Sequence, residues 1–142
     1  MEKIKVKNCK IIELPIIKDA HDGLISVANS MDNIPFEIKR TYYIYGLYNP
    51  YAIRGMHAHK KLQQVVFCIN GSFNLSLDDG AKKQDYYMDK PNIGIYLGIE
   101  LWHTMKNFSQ DCILLIFASE YYNESDYIRN YDQFVKYIET KK

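Results

Sequence analysis

The sequence predicts an all-β domain, a barrel or sandwich of short antiparallel strands with one C-terminal α-helix. Three observations carry this. Short runs rich in Tyr, Phe, Ile and Val, residues that pack well on a pleated surface, alternate with turn signals along most of the chain. The hydrophobic period changes only once, near the C-terminus. With 142 residues and no internal repeat, low-complexity tract or linker, the chain forms one domain over 1–142, long enough to bury a core without a disulfide or a metal.

Taken in order, "IKVKNCKIIEL", "LISVANS" and "FEIKRTYYIYGL" read as strands, and "DAHDG" and "YNP" as turns between and after them. "RGMHAHKK" follows. A strand turns residues i and i+2 to the same face, so His57 and His59 point into one space if this stretch is extended. "QQVVFCINGSFNLSL" reads as strand with a turn signal at "NGS". "LDDG" is the next turn, with Asp78 and Asp79 structural in it, and "YYMDKPNIGIYLG" and "DCILLIFAS" supply the last strands. In "NESDYIRNYDQFVKYIETKK", Tyr127, Ile128, Tyr131, Phe134, Val135 and Ile138 recur at three and four residues. That spacing predicts an amphipathic helix on the outside of the sheet, capped by Asn123 or Ser125 and ending in Lys141 and Lys142.

Bulk composition excludes several functions. The 18 Lys and Arg nearly balance the 17 Asp and Glu, too little basic excess for a broad nucleic-acid footprint, so an anionic ligand would be met by a few placed cations. Cys9, Cys68 and Cys112 are odd in number and set among apolar neighbours, as buried thiols in a reducing compartment would be. The N-terminal "MEKIKVKNCKIIELP" lacks the apolar block of a signal peptide, and the longest apolar run, "CILLIFA", is far short of the roughly 20 residues that span a bilayer. The expectation is a soluble, cytoplasmic protein that does not engage a membrane.

The chemistry concentrates in two stretches. "GMHAHKKLQQVVFCING" places a Gly two residues before His57, a second His at position 59, and Gly71 twelve residues on. "PNIGIYLGIELWHTMKN" carries Pro91, Gly94, His103 and Asn107. These resemble the paired motifs of the cupins, which implies a cupin-type jelly-roll β-barrel whose motif histidines face the interior. In metal-binding cupins a Glu three or four residues after the second His completes the site. Here those positions are Gln63 and Gln64, and a neutral amide is a poor substitute for a carboxylate. Three histidines could still hold zinc or iron with an open position, but the reading is no metal and no cofactor.

A narrower resemblance covers most of residues 33–134 through "NIPFEIKRTYYIYG", "RGMHAHKKL" and "ASEYYNESDYIRNY". It is to the sugar 3,4-ketoisomerases that act on dTDP-4-oxo-6-deoxy-D-glucose. The resemblance implies a 3-oxo sugar product destined for a 3-amino-3,6-dideoxyhexose, and a homodimer with exchanged strands or extended sheets. The family often has Glu where this chain has Gln63.

Moving a ketone from C4 to C3 requires removal of the C3 proton, an enediol or enediolate, and return of a proton to C4. Adjacent imidazoles suit this, because they titrate near neutrality and disfavour each other's charge. "RG-x-H" is also similar to a segment of the dTDP-sugar 3,5-epimerases, also jelly-roll proteins. That resemblance implies His57 as the base and Arg54 as a diphosphate clamp, a task that suits the planar guanidinium fork. His59 would then shuttle a proton or polarise the sugar oxygens. His103 would sit near C4 and point to a galacto-configured product. Arg40, Tyr43 and Lys60 are further candidate ligand contacts, although alternation in "FEIKRTYYIY" sets Arg40 and Tyr42 opposite Tyr43 and Tyr45. His21 reads as an ordinary exposed residue. The competing readings are a metal-dependent cupin, a dTDP-sugar epimerase and a non-catalytic cupin that binds a sugar nucleotide.

Overall fold

A computed structural model describes residues 2–142. Two five-stranded antiparallel sheets face one another. The first has the order β1 (Cys9–Glu13), β9 (Ile93–Leu97), β6 (Gln64–Asn70), β11 (Ile113–Ala118), β4 (Arg40–Ile44). The second has the order β12 (Tyr127–Ile128), β5 (Ile53–His59), β10 (Trp102–Lys106), β7 (Phe73–Asp78), β8 (Lys83–Met88). A small hairpin, β2 (Ile17–Lys18) with β3 (Leu24–Ile25), stands outside both sheets, and α1 (Tyr131–Thr140) follows β12. The all-β jelly-roll expectation with one C-terminal helix holds.

Alternation places the core. From the first sheet Val66, Ile95, Leu114 and Ile116, and from the second Phe73, Leu75, Leu77 and Met105, meet between the sheets. The continuous apolar run "VVFC" in β6 lacks alternation because this strand is buried on both faces. Val65 and Phe67 turn outward and are covered by Ile34 and Phe36, from the segment that winds over the first sheet. In "LISVANS" the strand is therefore confined to Leu24–Ile25, with an isolated bridge from Ser30 to Ile34. Cys68 and Cys112 are buried free thiols with sulfurs 3.8 Å apart, and Cys9 is half-buried.

The C-terminal helix is shorter than its sequence period suggests. Asn123 caps a separate 3-10 turn, Glu124–Asp126, whereas α1 starts at Tyr131 and its cap is Asn130, whose side chain accepts from the Gln133 amide at 3.0 Å. Tyr127 and Ile128 form a strand instead, pairing with His59 and Ala58 on the free edge of β5. That edge offers unpaired backbone groups, and satisfying them outweighs one more turn of helix. Tyr127 and Ile128 share the helix's apolar spacing because both segments cover β5. Phe134 is fully buried against Ala58 and Ile128. Among the described residues no helix is long and apolar enough to cross a membrane.

Candidate active site

The two sheets part at one end around a cleft of about 410 Å³. Its floor is the second sheet. His57 lies directly across from His103 in the β5–β10 ladder, and His59 stands two residues further along the same face. The His57 ring centre is 4.8 Å from those of both His59 and His103. His59 Nδ1 meets Asp126 Oδ2 at 3.2 Å. The other His59 nitrogen, Nε2, is buried without a hydrogen-bond partner, as are His57 Nδ1 and His103 Nδ1. Buried polar atoms without partners are uncommon and need a reason. A cleft for a polar ligand supplies one.

The "RG-x-H" spacing needs a device to work in a strand. Residues three apart point to opposite faces of a regular strand, yet Arg54 and His57 both line the cleft. The register between β5 and β10 shifts here, because His103 pairs with His57 while Thr104 pairs with Gly55, which leaves Met56 as an inserted residue. Gly55 and Met56 both take positive φ, +78° and +57°. Such a bulge resets the alternation. It also explains the glycine, since a Cβ at position 55 would lie 2.9 Å from the His103 carbonyl oxygen.

The first sheet forms the opposite wall. Arg40 and Tyr42 point inward from β4, and Gln64 from β6 donates from Nε2 to the Tyr42 hydroxyl at 2.6 Å. Arg40 lies over the Tyr42 ring, and its Nε is buried and unpartnered. Arg129 also lines the cleft, but Glu124 holds it through two contacts of 2.7 and 2.9 Å. Arg40 and Arg54 have no carboxylate partner among the described residues. They are the cations available to an anionic ligand.

Burial, above all, depresses the three histidines. The His57 pKa is lowered to about 3, first by desolvation and then by the neighbouring His59. His59 is lowered by burial against the opposing pull of Asp126, and His103 lies well below the ordinary imidazole value for want of solvent, with His57 and His59 adding to the effect. All three rings are neutral at pH 7, so His59–Asp126 is a hydrogen bond to a carboxylate rather than an ion pair.

The potential ligand nitrogens of the three histidines lie within 4.8 Å of one another, so these residues could close on a cation. The carboxylate of a cupin metal site is missing: Gln64 is engaged with Tyr42, and Gln63 points away and accepts from the Tyr96 hydroxyl at 2.6 Å. The donor set would be neutral throughout, a weak fit to a hard divalent cation.

The structure brings His57, His103, Arg54 and Arg40 to one cleft and sets His59 beside His57. Tyr43 and Lys60 do not join them. Tyr43 is 63% exposed on the outer face of β4 beside Tyr45, where alternation puts it once Arg40 faces inward. Lys60 follows the last residue of β5 and extends toward α1, its ammonium 5.8 Å from the centre of the Tyr137 ring. His21 is exposed in a turn, and Asp79 accepts backbone amides within its hairpin. Sequence reasoning missed Asp126, Tyr127 and Arg129. They sit in the distinctive string "ASEYYNESDYIRNY", but the helical spacing masked the strand that carries Tyr127 against His57 and His59, with ring centres at 5.0 and 4.4 Å.

Clustered imidazoles beside a cleft with cations at its wall mark the candidate site of this jelly-roll protein. Comparison with known proteins narrows this. The family model described as FdtA, "WxcM-like, C-terminal", matches residues 7–139. A TDP-4-oxo-6-deoxy-alpha-D-glucose-3,4-oxoisomerase from Aneurinibacillus thermoaerophilus is 47% identical over 129 residues, 91% of each chain. The sugar 3,4-ketoisomerase QdtA from Thermoanaerobacterium thermosaccharolyticum, solved in complex with TDP, superposes with a TM-score of 0.90 at 38% identity, covering 95% of this chain and 97% of that one. The TDP-quinovose 3,4-ketoisomerase WlaRB from Campylobacter jejuni gives 0.88 at 43% identity, covering 92% and 99%. The chain belongs to this FdtA-type family of 3,4-ketoisomerases and is an isomerase.

Proposed function

We propose that the chain converts dTDP-4-oxo-6-deoxy-D-glucose into a dTDP-3-oxo-6-deoxyhexose by proton transfer among its own histidines, without a metal or redox cofactor. The observation that carries this is a cluster of three neutral imidazoles, each with a buried unpartnered nitrogen, of which His57 and His103 line the cleft and His59 packs beside His57. The naming of TDP sugars in the relatives supports the substrate class.

In this reading Arg54 and Arg40 bind the diphosphate and fix the sugar over β5. Neutral His57 removes the C3 proton, and the electron pair moves to leave an enediolate with its charge on O4. His59 takes the proton from the O3 hydroxyl and delivers it to O4. As C4 is reprotonated, the C3 carbonyl forms. The His57 imidazolium passes its proton, in exchange with solvent, to His103 across the ladder, and the His103 imidazolium delivers it to C4, so that every ring ends neutral; a donor on that side gives the galacto configuration. Burial keeps His57 unprotonated in the empty cleft, and the enediolate forming beside it stabilises the imidazolium when it is needed. The product is the ketone that an aminotransferase requires to make a 3-amino-3,6-dideoxy sugar, in the cytoplasm.

The test is an NMR time course of the substrate in deuterated buffer with chelator-treated protein. The expected result is a 3-oxo sugar carrying deuterium at C4, formed at an undiminished rate after metal removal. Deuterium at C3 and C5 without ketone transfer would make the protein an epimerase. Loss of turnover on chelation, restored by a divalent cation, would make it a metal enzyme. Binding without exchange would leave only a binding module.

The same reading includes a homodimer. Ile16, Ile17, Leu24 and Ile25 are exposed on the outer hairpin, beside an apolar groove of about 600 Å³ floored by Phe67, Leu115 and Phe117. Such a patch costs solubility unless it is covered. Sedimentation should give twice the 16.7 kDa chain mass, and Leu24→Glu should shift the population to monomer. A native monomer would refute the dimer.

A further inference from the structure

Beyond its hydrogen bond to His59, Asp126 has no part in the proposed reaction so far. Its backbone oxygen accepts from the Lys60 amide at 3.1 Å, its Oδ1 from the Lys61 amide at 2.7 Å, and its Oδ2 from the Leu62 amide at 3.2 Å. The same Oδ2 lies 3.2 Å from His59 Nδ1. An ionised carboxylate only accepts hydrogen bonds, so a bare Nδ1 would set two lone pairs against each other at a nearly buried site. The hydrogen of the neutral ring therefore sits on Nδ1, and Nε2 carries the lone pair. That nitrogen is buried and unpartnered, and it is the ring nitrogen of His59 not engaged by Asp126.

We propose that Asp126 is a positioning residue that locks His59 in the Nδ1–H tautomer, so that Nε2 can accept the proton of the sugar hydroxyl. The inference rests on the reading of His59 as the relay between the two sugar oxygens. A relay that begins by accepting must present a lone pair, and the opposite tautomer would present N–H to a hydroxyl that has to lose its own hydrogen. The lock is built from chain segments far apart in sequence. The 3-10 turn that ends at Asp126 is held on β5 by the pairing of Tyr127 with His59 and of Ile128 with Ala58. The carboxylate therefore arrives beside the same histidine whose backbone the following strand grips.

Asp126 also stabilises the turn after β5, so the experiment must separate the two tasks. Asp126→Ser keeps a hydroxyl that can accept one turn amide but is too short to reach His59. On native protein labelled with 15N at histidine, the expected spectrum shows His59 as a single neutral tautomer with hydrogen on Nδ1. In Asp126→Ser that tautomer gives way to a mixture, kcat falls about tenfold to a hundredfold, part of what a placed acid–base group contributes, and KM stays within about twofold. In a His59→Asn background the same change should lower kcat no further, since the two residues act as one unit.

Hydrogen on Nε2 in the native protein would overturn the inference without any variant. So would a loss of kcat in Asp126→Ser with the tautomer unchanged, which would reduce Asp126 to a turn residue. Native kcat in Asp126→Ser, beside an inactive His59→Asn, would refute the inference and leave the relay intact. Native kcat in His59→Asn would instead remove the relay itself.

Discussion

Replacing His57 by asparagine lowers kcat by about a hundredfold to ten-thousandfold, the usual contribution of a placed general base, while the sugar nucleotide still binds. Asparagine keeps much of the volume and a polar edge but cannot take a proton at neutral pH. Binding survives because the cations proposed to meet the diphosphate, Arg54 and Arg40, come from the strand end beyond the bulge and from the opposite sheet. Calorimetric titration with TDP should therefore give a Kd near the native one. The native pH profile makes the assignment specific. In the proposed mechanism His57 acts as a free base, and burial lowers its pKa from 6.5 to about 3. The active form thus persists as pH falls through the range where an exposed histidine would be lost, and the acid limb of kcat/KM should lie well below 6.5. The stability sign runs the other way. A group whose folded pKa is depressed below its unfolded value binds more protons when unfolded, so the fold weakens as pH drops below 6.5 and toward 3. Circular dichroism at each pH separates the two effects. A variant within tenfold of native turnover, or an acid limb at 6.5 in fully folded protein, would remove His57 from the role of base.

The legible part of this site followed from strict alternation. His57 and His59 share a face because they are two apart, and Tyr43 faces outward because Arg40 faces inward. Arg54 is three residues from His57, and only the bulge at Met56 brings it round; alternation alone would have sent it to the other face. Gly55 was the visible trace of that bulge, since the positive φ and the close approach to the His103 carbonyl both call for glycine. Asp126 and Arg129 stayed hidden for a different reason. The period of Tyr127, Ile128 and Tyr131 is helical in sequence, but the first two positions answer to the open edge of β5, a tertiary partner that no local pattern records. Gln63 and Gln64 are adjacent, so one had to face the cleft and the other had to leave it. Which did which depended on a register set by β9 and β11.

The same dependence on tertiary partners makes the C-terminal helix a support of the site, and Phe134→Ala should expose it. A helix of ten residues is marginal on its own in water, so α1 owes its order to what it packs against. Phe134 is the fully buried residue of that contact, with Trp102 and Tyr131 ring centres at 5.7 and 5.9 Å and Ala58 and Ile128 beneath it. Truncation leaves a cavity and should cost about 3–5 kcal/mol, as removal of a core phenylalanine commonly does. A domain of this size would lose roughly 10–15 °C in Tm. Ala58 lies between His57 and His59 with its side chain on the helix side, and Ile128 anchors the strand that follows Asp126. Loosening this contact therefore frees Tyr127 and Asp126 before it disturbs the core between the sheets. Turnover should fall in Phe134→Ala at temperatures where circular dichroism still reports a folded barrel, whereas Phe134→Leu, which retains most of the volume, should cost less than about 1.5 kcal/mol and keep activity. If Phe134→Ala instead kept full activity up to its unfolding transition, α1 would be a cover for β5 with no bearing on the histidines. Loss of activity ahead of unfolding would make the helix part of the machinery that holds His59 in place.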